Sequence, residues 1–162
     1  MSARWWRGLS ALFLVALGGC YSFSGSGLPA GLRTVEIEQV VDRARQPELA
    51  DQATRALLDE YQRNGALRPV DAEGQSLLTT QLSVYSHTPQ QANTTGEVSR
   101  FRVTVGFDAK FVDLRDESVL FEGNGVSGSY DYDPATETET DARTKAMQAA
   151  VRKLVDNTVS GW

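Results

Sequence analysis

Two residue types that often carry chemistry occur once each in this 162-residue chain, as Cys20 and His87. One thiol cannot form an internal disulfide, and one thiol with one imidazole is too little for the usual transition-metal sites. His87 lies beside a polar stretch, and we expect it to be solvated. No Ser has the Gly-x-Ser-x-Gly setting of a nucleophile. The chain is therefore predicted not to be an enzyme, and no catalytic residue, metal or diffusible cofactor is assigned.

Two further motifs have a chemical and a structural interpretation. The glycines in residues 123–128 (GNGVSG) superficially match a dinucleotide-binding fingerprint, but they lie inside a predicted strand, where bulges or a close backbone approach explain them better. An acidic run follows in residues 131–141. A weak calcium site is possible there, but the spacing matches no EF-hand loop, and a solvated loop is the simpler interpretation.

Cys20 follows a segment typical of a bacterial secretion signal. Arg4 and Arg7 precede nine mostly apolar residues, 9–17, which are too few to cross a bilayer core of about 30 Å. The tetrapeptide LGGC ending at Cys20 resembles a lipobox, so residues 1–19 are predicted to be a signal peptide and Cys20 to carry a covalent lipid. An ordinary signal-peptidase site, or a short buried helix with a chance Cys, is the alternative. The residue after Cys20 is Tyr21 rather than Asp, which resembles the signal of lipoproteins that are sorted to the outer membrane.

The charge of the remaining chain limits its partners. Without residues 1–19, 14 basic residues stand against 21 acidic ones, a net charge of −7. A nucleic-acid partner is not expected, because binding a phosphate backbone needs a basic surface. The composition, 41% hydrophobic and 23% charged, is that of a globular domain.

The apolar pattern predicts a flexible tether at residues 20–31 and one domain at 32–162. A helix begins at Pro47 and stops at Asn64-Gly65, and a second helix covers about residues 141–158. The clearest strand is 100–113, where odd positions from 101 to 111 are apolar and even ones mostly polar. The other strands are predicted at 33–41, 78–84 and 118–130, with a brief extended piece at 67–70 and a polar connection at 87–97.

These elements predict an α+β fold with two layers. A four-stranded mixed sheet carries both helices on one face, in the order β-α-β-β-β-α, and leaves its other face polar. The predicted core joins two groups of residues. They are Phe101, Val103, Val105, Phe107 and Phe111 from the long strand, and Leu57, Tyr61, Ala150 and Leu154 from the helices.

Several segments together resemble the LptE family of lipopolysaccharide-assembly lipoproteins. In chain order they are residues 20–25 (CYSFSG), 28–29 (LP), 34–37 (TVEI), 56–65, 67–70 (LRPV), 82–85, 100–113 and 120–123 (LFEG). The family has a Gly between the Cys and the Tyr, which this chain lacks. The resemblance implies an outer-membrane lipoprotein on the periplasmic side. It would bind an LptD-type β-barrel as a plug and help deliver lipopolysaccharide to the outer leaflet.

Lipopolysaccharide is polyanionic, whereas this chain is net negative, so any contact needs a local basic patch. Arg100, Arg102 and Lys110 share the polar side of the long strand, and Arg115 follows in the adjoining turn. Their side chains suit phosphate groups, although a solvated strand face is the simpler interpretation. Barrel contact is predicted through loops, either residues 88–96 or residues 113–118.

Other functions remain open at this stage. A lipoprotein that regulates peptidoglycan synthesis, or a subunit of a secretion pore, would have a similar order of elements. Co-purification separates these possibilities: a large β-barrel supports lipopolysaccharide assembly, whereas a synthase or a homo-oligomeric ring supports the alternative. A hydrolase is disfavoured by the absence of a recognisable catalytic constellation.

Overall fold

A computed structural model describes residues 27–92 and 98–160 of the chain. The predicted signal peptide, Cys20 and the first part of the tether lie outside these residues. The elements are β1 (Thr34–Ile37), β2 (Val41–Asp42), α1 (Pro47–Asn64), β3 (Arg68–Val70), β4 (Ser76–Ala92), β5 (Val98–Asp113), β6 (Ser118–Tyr132) and α2 (Glu139–Ser160). Within the described ranges, neither helix is apolar enough over its length to span a bilayer.

The strands form one mixed sheet in the order β3-β1-β4-β5-β6, with β2 also paired to β4. β1 runs parallel to β3 and β4, while β4, β5 and β6 form antiparallel pairs. Both helices pack on one face of this sheet, which confirms the predicted two-layer α+β fold.

The number of strands was predicted wrongly, because the sheet has six strands among the described residues rather than four. The predicted strand 33–41 is divided into β1 and β2, since the N–H of Val40 donates to Thr54 Oγ1 of α1 instead of to the sheet. The extended piece near residue 68 pairs with β1 as β3. Both additions are only two or three residues long, which is too short for a periodic pattern to indicate them.

β4 is much longer than predicted and includes most of the stretch that we interpreted as a connection. Thr88 pairs with Arg102, and Gln91 pairs with Arg100. Pro89 is tolerated because β1 and β2 pair with β4 only as far as Leu82, so the other edge of β4 needs no N–H donor there. Residues 88–91 are exposed and polar on both sides, so no alternation marks them as a strand.

The core confirms the predicted inward face of β5. Val103, Val105, Phe107 and Phe111 are fully buried there, and Phe101 packs at the edge of the same cluster. The predicted helix residues Leu57, Tyr61, Ala150 and Leu154 are also fully buried. α1 begins at Pro47 and ends at Gly65, whose φ of 74° is the left-handed value that glycine adopts readily.

The glycines of β6 have structural roles, as predicted. Gly125 has a φ of 67° in a bulge opposite Asp108, which accepts its N–H at 2.7 Å. A Cβ atom at Gly128 would lie 2.5 Å from the carbonyl oxygen of Ala146, because α2 rests directly on the strand. The segment is therefore a strand under a helix, and it has no turn that cradles phosphates.

Candidate functional site: an open sheet face and its hairpin

The sheet face opposite the helices is not covered by any residue that the structure describes. We call this surface the open face and define it by the side chains of the three long strands. They are Leu77, Thr79, Gln81, Val84, Ser86 and Thr88 of β4; Arg100, Arg102, Thr104, Gly106, Asp108, Lys110 and Val112 of β5; and Val119, Glu122, Ser127, Ser129 and Asp131 of β6. Its upper end adjoins the β4–β5 connection, and its lower end adjoins the turn at residues 113–118.

The centre of the open face is small and uncharged. One cross-strand row contains Ser86, Thr104 and Ser129, and the next is built around Gly106. The hydroxyls of Thr104 and Ser129 lie 2.9 Å apart and form a hydrogen bond, although both remain near solvent. A flat band of this kind lets another surface approach closely without desolvating a charge.

Exposed apolar side chains are concentrated on the same side of the sheet. Val84 and Val119 belong to the open face, and Val41 lies beside Gln81 at its edge. Val119 keeps 49% of its surface exposed and Val41 keeps 45%. Only Leu114, in the lower turn, completes the set of exposed large apolar residues in the described part of the chain. Three of these four side chains therefore lie on one side of the sheet, at separate positions along it.

The upper end of the open face carries an ion pair. Arg102 donates from Nε and from Nη2 to the two oxygens of Asp131, at 2.6 and 2.7 Å, because the two residues are direct cross-strand neighbours. These hydrogen bonds hold the pKa of the Asp131 carboxyl below its ordinary value. Arg100 lies two residues away along β5 and is exposed.

The lower end carries the predicted Lys110. It stands between Thr79 and Glu122 in the strand register, beside a shallow groove that also includes Gln81 and Asp108. Lys110 is eight residues from Arg102, which corresponds to about 26 Å along a strand. The two positions therefore cannot contact one phosphate group.

Arg115 belongs to a structural clamp rather than to the open face. Its Nε and Nη2 atoms donate to Asp113, at distances down to 2.5 Å, and Nη1 donates to the carbonyl oxygen of Ala30 at 3.1 Å. Asp113 is buried, and the guanidinium holds the pKa of its carboxyl below the ordinary value. Arg115 thus fastens the lower turn to the segment that leads into β1.

The four basic residues predicted as phosphate ligands are thus divided between the two ends of the sheet. Arg100 and Arg102 lie close together at the upper end, whereas Lys110 and Arg115 lie at the lower end. A lipopolysaccharide contact through these residues stays a prediction. Cys20, the predicted lipid site, is outside the described residues.

A cluster around His87 was not predicted. His87 lies on the helix side of β4, where its Nε2 is 2.9 Å from the Tyr132 hydroxyl and its Nδ1 is 3.3 Å from Glu139 Oε2. The side chain is 27% exposed, so the imidazole has protein partners in addition to solvent, which the sequence did not indicate. Glu139 also accepts the Tyr85 hydroxyl at 2.6 Å. Nothing in the local sequence links residue 87 to residue 139, because the sheet and the helix bring them together.

The acidic run also has structural partners. Glu137 pairs with Lys145, and Asp141 accepts the hydroxyl of Thr138 at 2.7 Å while its own N–H donates to that hydroxyl. Thr138 therefore caps α2. In residues 27–92 and 98–160, no three potential metal-binding side chains come together. The described acids have structural partners, which favours the structural interpretation of the run over a calcium site.

The family relationship is decided by a match over nearly the whole folded part. The family model described as "LptE: Lipopolysaccharide-assembly" matches residues 32–160. The chain belongs to the LptE family. The resemblance noted from the sequence is therefore confirmed. The LptE family consists of lipopolysaccharide-assembly lipoproteins and is not a family of enzymes.

Solved structures show how widely the fold of this LptE-family chain occurs. An uncharacterized lipoprotein B from Nitrosomonas europaea shares 14% identity, with a TM-score of 0.54 over 86% of this chain and 92% of that one. A hypothetical protein from Chlamydia trachomatis shares 8% identity, with a TM-score of 0.53 over 78% and 92%. A PelC dodecamer from Paraburkholderia phytofirmans reaches 0.48 at 12% identity over 80% and 93%. The first two likenesses show the fold alone. No protein of curated function matches the sequence significantly.

Proposed function

We propose that this chain is an outer-membrane lipoprotein, anchored through a lipid on Cys20 and facing the periplasm. It binds an LptD-type β-barrel as a plug and assembly factor and assists the insertion of lipopolysaccharide into the outer leaflet. The family membership supports the assembly role. The observation that carries the docking role is the open face, where an uncharged band and most of the exposed apolar side chains lie on one side of the sheet.

The segment that leads into β1 indicates how the domain is oriented relative to the lipid anchor. Arg115 fastens the lower turn to Ala30, so the chain arrives at the lower end of the sheet. Six residues, 21–26, separate Cys20 from the described part, so Cys20 and residue 27 are at most about 25 Å apart. The lower end therefore stays near the lipid anchor, and the β4–β5 hairpin points away from it.

This orientation favours one of the two loops that the sequence left open. The 113–118 turn lies on the anchored side, whereas the connection between β4 and β5 lies at the far end. β4 has 17 residues and is about 55 Å long, compared with an apolar band of about 25 Å in an outer-membrane barrel. β6 pairs with β5 as far as Phe101, so the part that would enter the barrel from the periplasmic side is the far end of the three long strands rather than a free hairpin.

The chemistry of the open face suits a barrel interior. Lumen-facing residues of such barrels are polar, so hydroxyls such as those of Thr104 and Ser129 can exchange hydrogen bonds with them or with trapped water. The charge at the upper end is already matched, since Arg102 is paired with Asp131. Docking there would bury no unpaired charge from this pair, which avoids the largest desolvation cost.

Site-specific crosslinking in cells tests the docking. A photo-crosslinker at Gln91, near the hairpin tip, and another at Ser127, on the open face, should both give adducts with the barrel. A crosslinker at Leu114, which is exposed in the turn at the anchored end, is the matched control, and it should give a weaker adduct or none. If neither Gln91 nor Ser127 gives a barrel adduct in cells that contain the barrel, the plug model is wrong for this protein.

A pull-down from detergent-solubilised outer membranes separates the proposed function from its alternative. A large β-barrel should co-purify with the full chain. Recovery of a peptidoglycan synthase, or of a homo-oligomeric ring without a barrel, would instead support the regulator or the secretion pore.

A further inference from the structure

The chain contains two Asn-Gly pairs, Asn64-Gly65 and Asn124-Gly125, and the structure distinguishes them. In such a pair the glycine nitrogen can attack the asparagine side chain, because glycine has no Cβ atom to shield it. Asn64 is the last residue of α1, and its side-chain oxygen accepts the N–H of Ala66 at 3.3 Å. Asn124 instead lies in the bulge of β6, where it is exposed.

The bulge leaves Asn124 and Gly125 open to water. Between two regular cross-strand pairs, these two residues of β6 face the single residue Asp108 of β5. Gly125 has a φ of 67°, and apart from its chain neighbours no described residue lies within 4 Å of the position that a Cβ atom would take. The backbone here therefore has room to rearrange.

The amide of Gly125 is nevertheless held by one carboxylate. Its N–H donates to Oδ1 of Asp108 at 2.7 Å, a short hydrogen bond to a charged acceptor. Attack by the glycine nitrogen requires that this proton be lost. A hydrogen bond made by the protonated form opposes that loss, and the nitrogen anion would also lie directly beside the carboxylate. Asp108 therefore acts against the attack.

The other charged groups of the groove do not hold this amide. Lys110 and Glu122 line the same groove as Asp108 and Asn124. Among the described residues, however, the acceptor of the Gly125 N–H is Asp108. Lys110 and Glu122 act on the amide only through space, and with opposite signs. Glu122 is thus a matched comparison, because it brings a carboxylate to the groove without the hydrogen bond.

We propose that Asn124 is a site of spontaneous deamidation beside the open face, and that Asp108 suppresses the reaction by holding the Gly125 amide. The Gly125 nitrogen loses its proton to hydroxide and forms a bond to Cγ of Asn124. The bond from Cγ to Nδ2 breaks, and the side-chain nitrogen takes a proton from water and leaves as ammonia. Water then opens either C–N bond of the succinimide ring, which leaves Asp or isoAsp.

The reaction would change the groove in two ways. It adds a carboxylate beside Asp108 and Glu122, whereas Lys110 is the one cation among the described residues that line the groove. IsoAsp also routes the main chain through the side-chain carbon, which lengthens β6 within its bulge. Asp108 therefore preserves both the charge and the backbone of this part of the sheet. The inference concerns the chain itself and does not rest on barrel docking.

Peptide mass spectrometry of the full mature chain, incubated in mildly alkaline buffer with detergent, tests the proposal. The loss of amide from Asn124 is compared between the wild type and Asp108→Ala. We expect Asn124 to react about tenfold faster in the variant, the low end for a hydrogen bond to a charged group, because the pair is exposed. Asp108→Asn, which keeps an oxygen acceptor without the charge, should also react faster than the wild type. Asn64 is the internal control in every sample and should keep its rate.

Two further measurements separate the hydrogen bond from its surroundings. Glu122→Gln removes a carboxylate from the groove but leaves the Asp108 bond intact, so Asn124 should react at close to the wild-type rate. Base-catalysed hydrogen exchange of the Gly125 amide, followed by NMR, reports the same loss of a proton. It should become faster in both Asp108 variants and not in Glu122→Gln. A synthetic peptide of residues 121–128 gives the unrestrained rate of deamidation.

The proposal fails if Asn124 keeps its wild-type rate in both Asp108 variants while the peptide reacts. A slower reaction in those variants would also overturn it, because Asp108 would then act as the base. Equal acceleration in Glu122→Gln would assign the effect to charge alone, and equal acceleration at Asn64 would assign it to general loosening. None of these results bears on the barrel, which crosslinking tests separately.

Discussion

Gly128 of β6 and Ala146 of α2 are so close that a single added carbon would not fit between the strand and the helix. A Cβ atom at Gly128 would lie 2.5 Å from the carbonyl oxygen of Ala146. The helix therefore rests on bare backbone at this point, and a residue that resembles part of a ligand-binding motif is explained by packing. The same closeness makes the position sensitive to the smallest substitution.

Gly128→Ala should lower the free energy of unfolding by about 1–3 kcal/mol, the usual effect of overpacking. The added methyl group meets backbone atoms, which cannot rotate away. Gly106→Ala on the open face is the control, since its Cβ would meet the side chain of Val84 at 3.1 Å instead of backbone. Urea unfolding followed by circular dichroism measures both. Equal losses in the two variants would contradict the packing account.

Phe107→Ala should cost about 3–5 kcal/mol, because the side chain is fully buried and leaves a cavity. Lys110→Ala, three residues along the same strand and on the exposed face, should change the stability by less than about 0.5 kcal/mol. Equilibrium denaturation of both variants compares the two faces of β5. A loss below about 1 kcal/mol for Phe107→Ala would mean that the core lies elsewhere.

The Asp113–Arg115 clamp should make stability fall in acid. The pKa of Asp113 is lowered in the folded chain, so its contribution is present above the pKa of the unfolded carboxyl and is lost as the pH falls through the folded value. Thermal unfolding of the wild type and of Asp113→Asn should therefore differ most near neutral pH. The difference should shrink below about pH 4, where an ordinary Asp becomes protonated. A constant difference across this range would rule out the ionised carboxylate as the cause.

The mature protein should begin at Cys20 and carry acyl chains on that residue. The basic residues, the apolar run and the LGGC sequence before it are the reason. Mass spectrometry of the chain isolated from native membranes should show the acyl mass on an N-terminal Cys20. Cys20→Ala is the control and should not show this mass. An unmodified, water-soluble mature chain would contradict the prediction.

Reversing the charge at the upper end should weaken lipopolysaccharide binding and reduce its sensitivity to salt. Arg100→Glu with Arg102→Glu removes the basic pair nearest the hairpin, and screening affects such contacts strongly. Lys110→Glu reverses one charge about 26 Å away and is the matched control. Arg102→Glu also leaves Asp131 unpaired at the end proposed to dock, so barrel assembly is measured in the same cells and lipopolysaccharide binding is compared only between variants that assemble. Unaltered lipopolysaccharide binding in the double variant would exclude Arg100 and Arg102 as ligands.

The sequence predicts the elements that have a periodic apolar pattern or a local start or stop signal. The alternation in β5, the start of α1 at Pro47 and its end at Gly65 all follow from local rules. β2 and β3 are too short for such a pattern, and the outer half of β4 is exposed on both sides. These strands form because they pair with a neighbouring strand, and the local sequence pattern does not indicate that pairing.

The candidate site divides in the same way. The open face of β5 follows from periodicity, and so does the position of Arg102 on it. Its pairing with Asp131 depends on the register between β5 and β6, which bulges shift elsewhere along the two strands. The His87 cluster depends on where α2 begins relative to the sheet. The sequence therefore predicted the apolar core but not the specific polar contacts between residues far apart in the chain.

Pro89 has a consequence for the chain before it meets any partner. A long outer strand with unpaired N–H groups invites other strands to add to it, which leads to aggregation. Pro89 has no N–H to offer at this edge, and the strand pairing is irregular immediately beyond it, between Pro89 and Gln91. Pro89 therefore removes one donor from the edge at which another strand would add, and the irregular pairing beyond it makes that edge a poorer template.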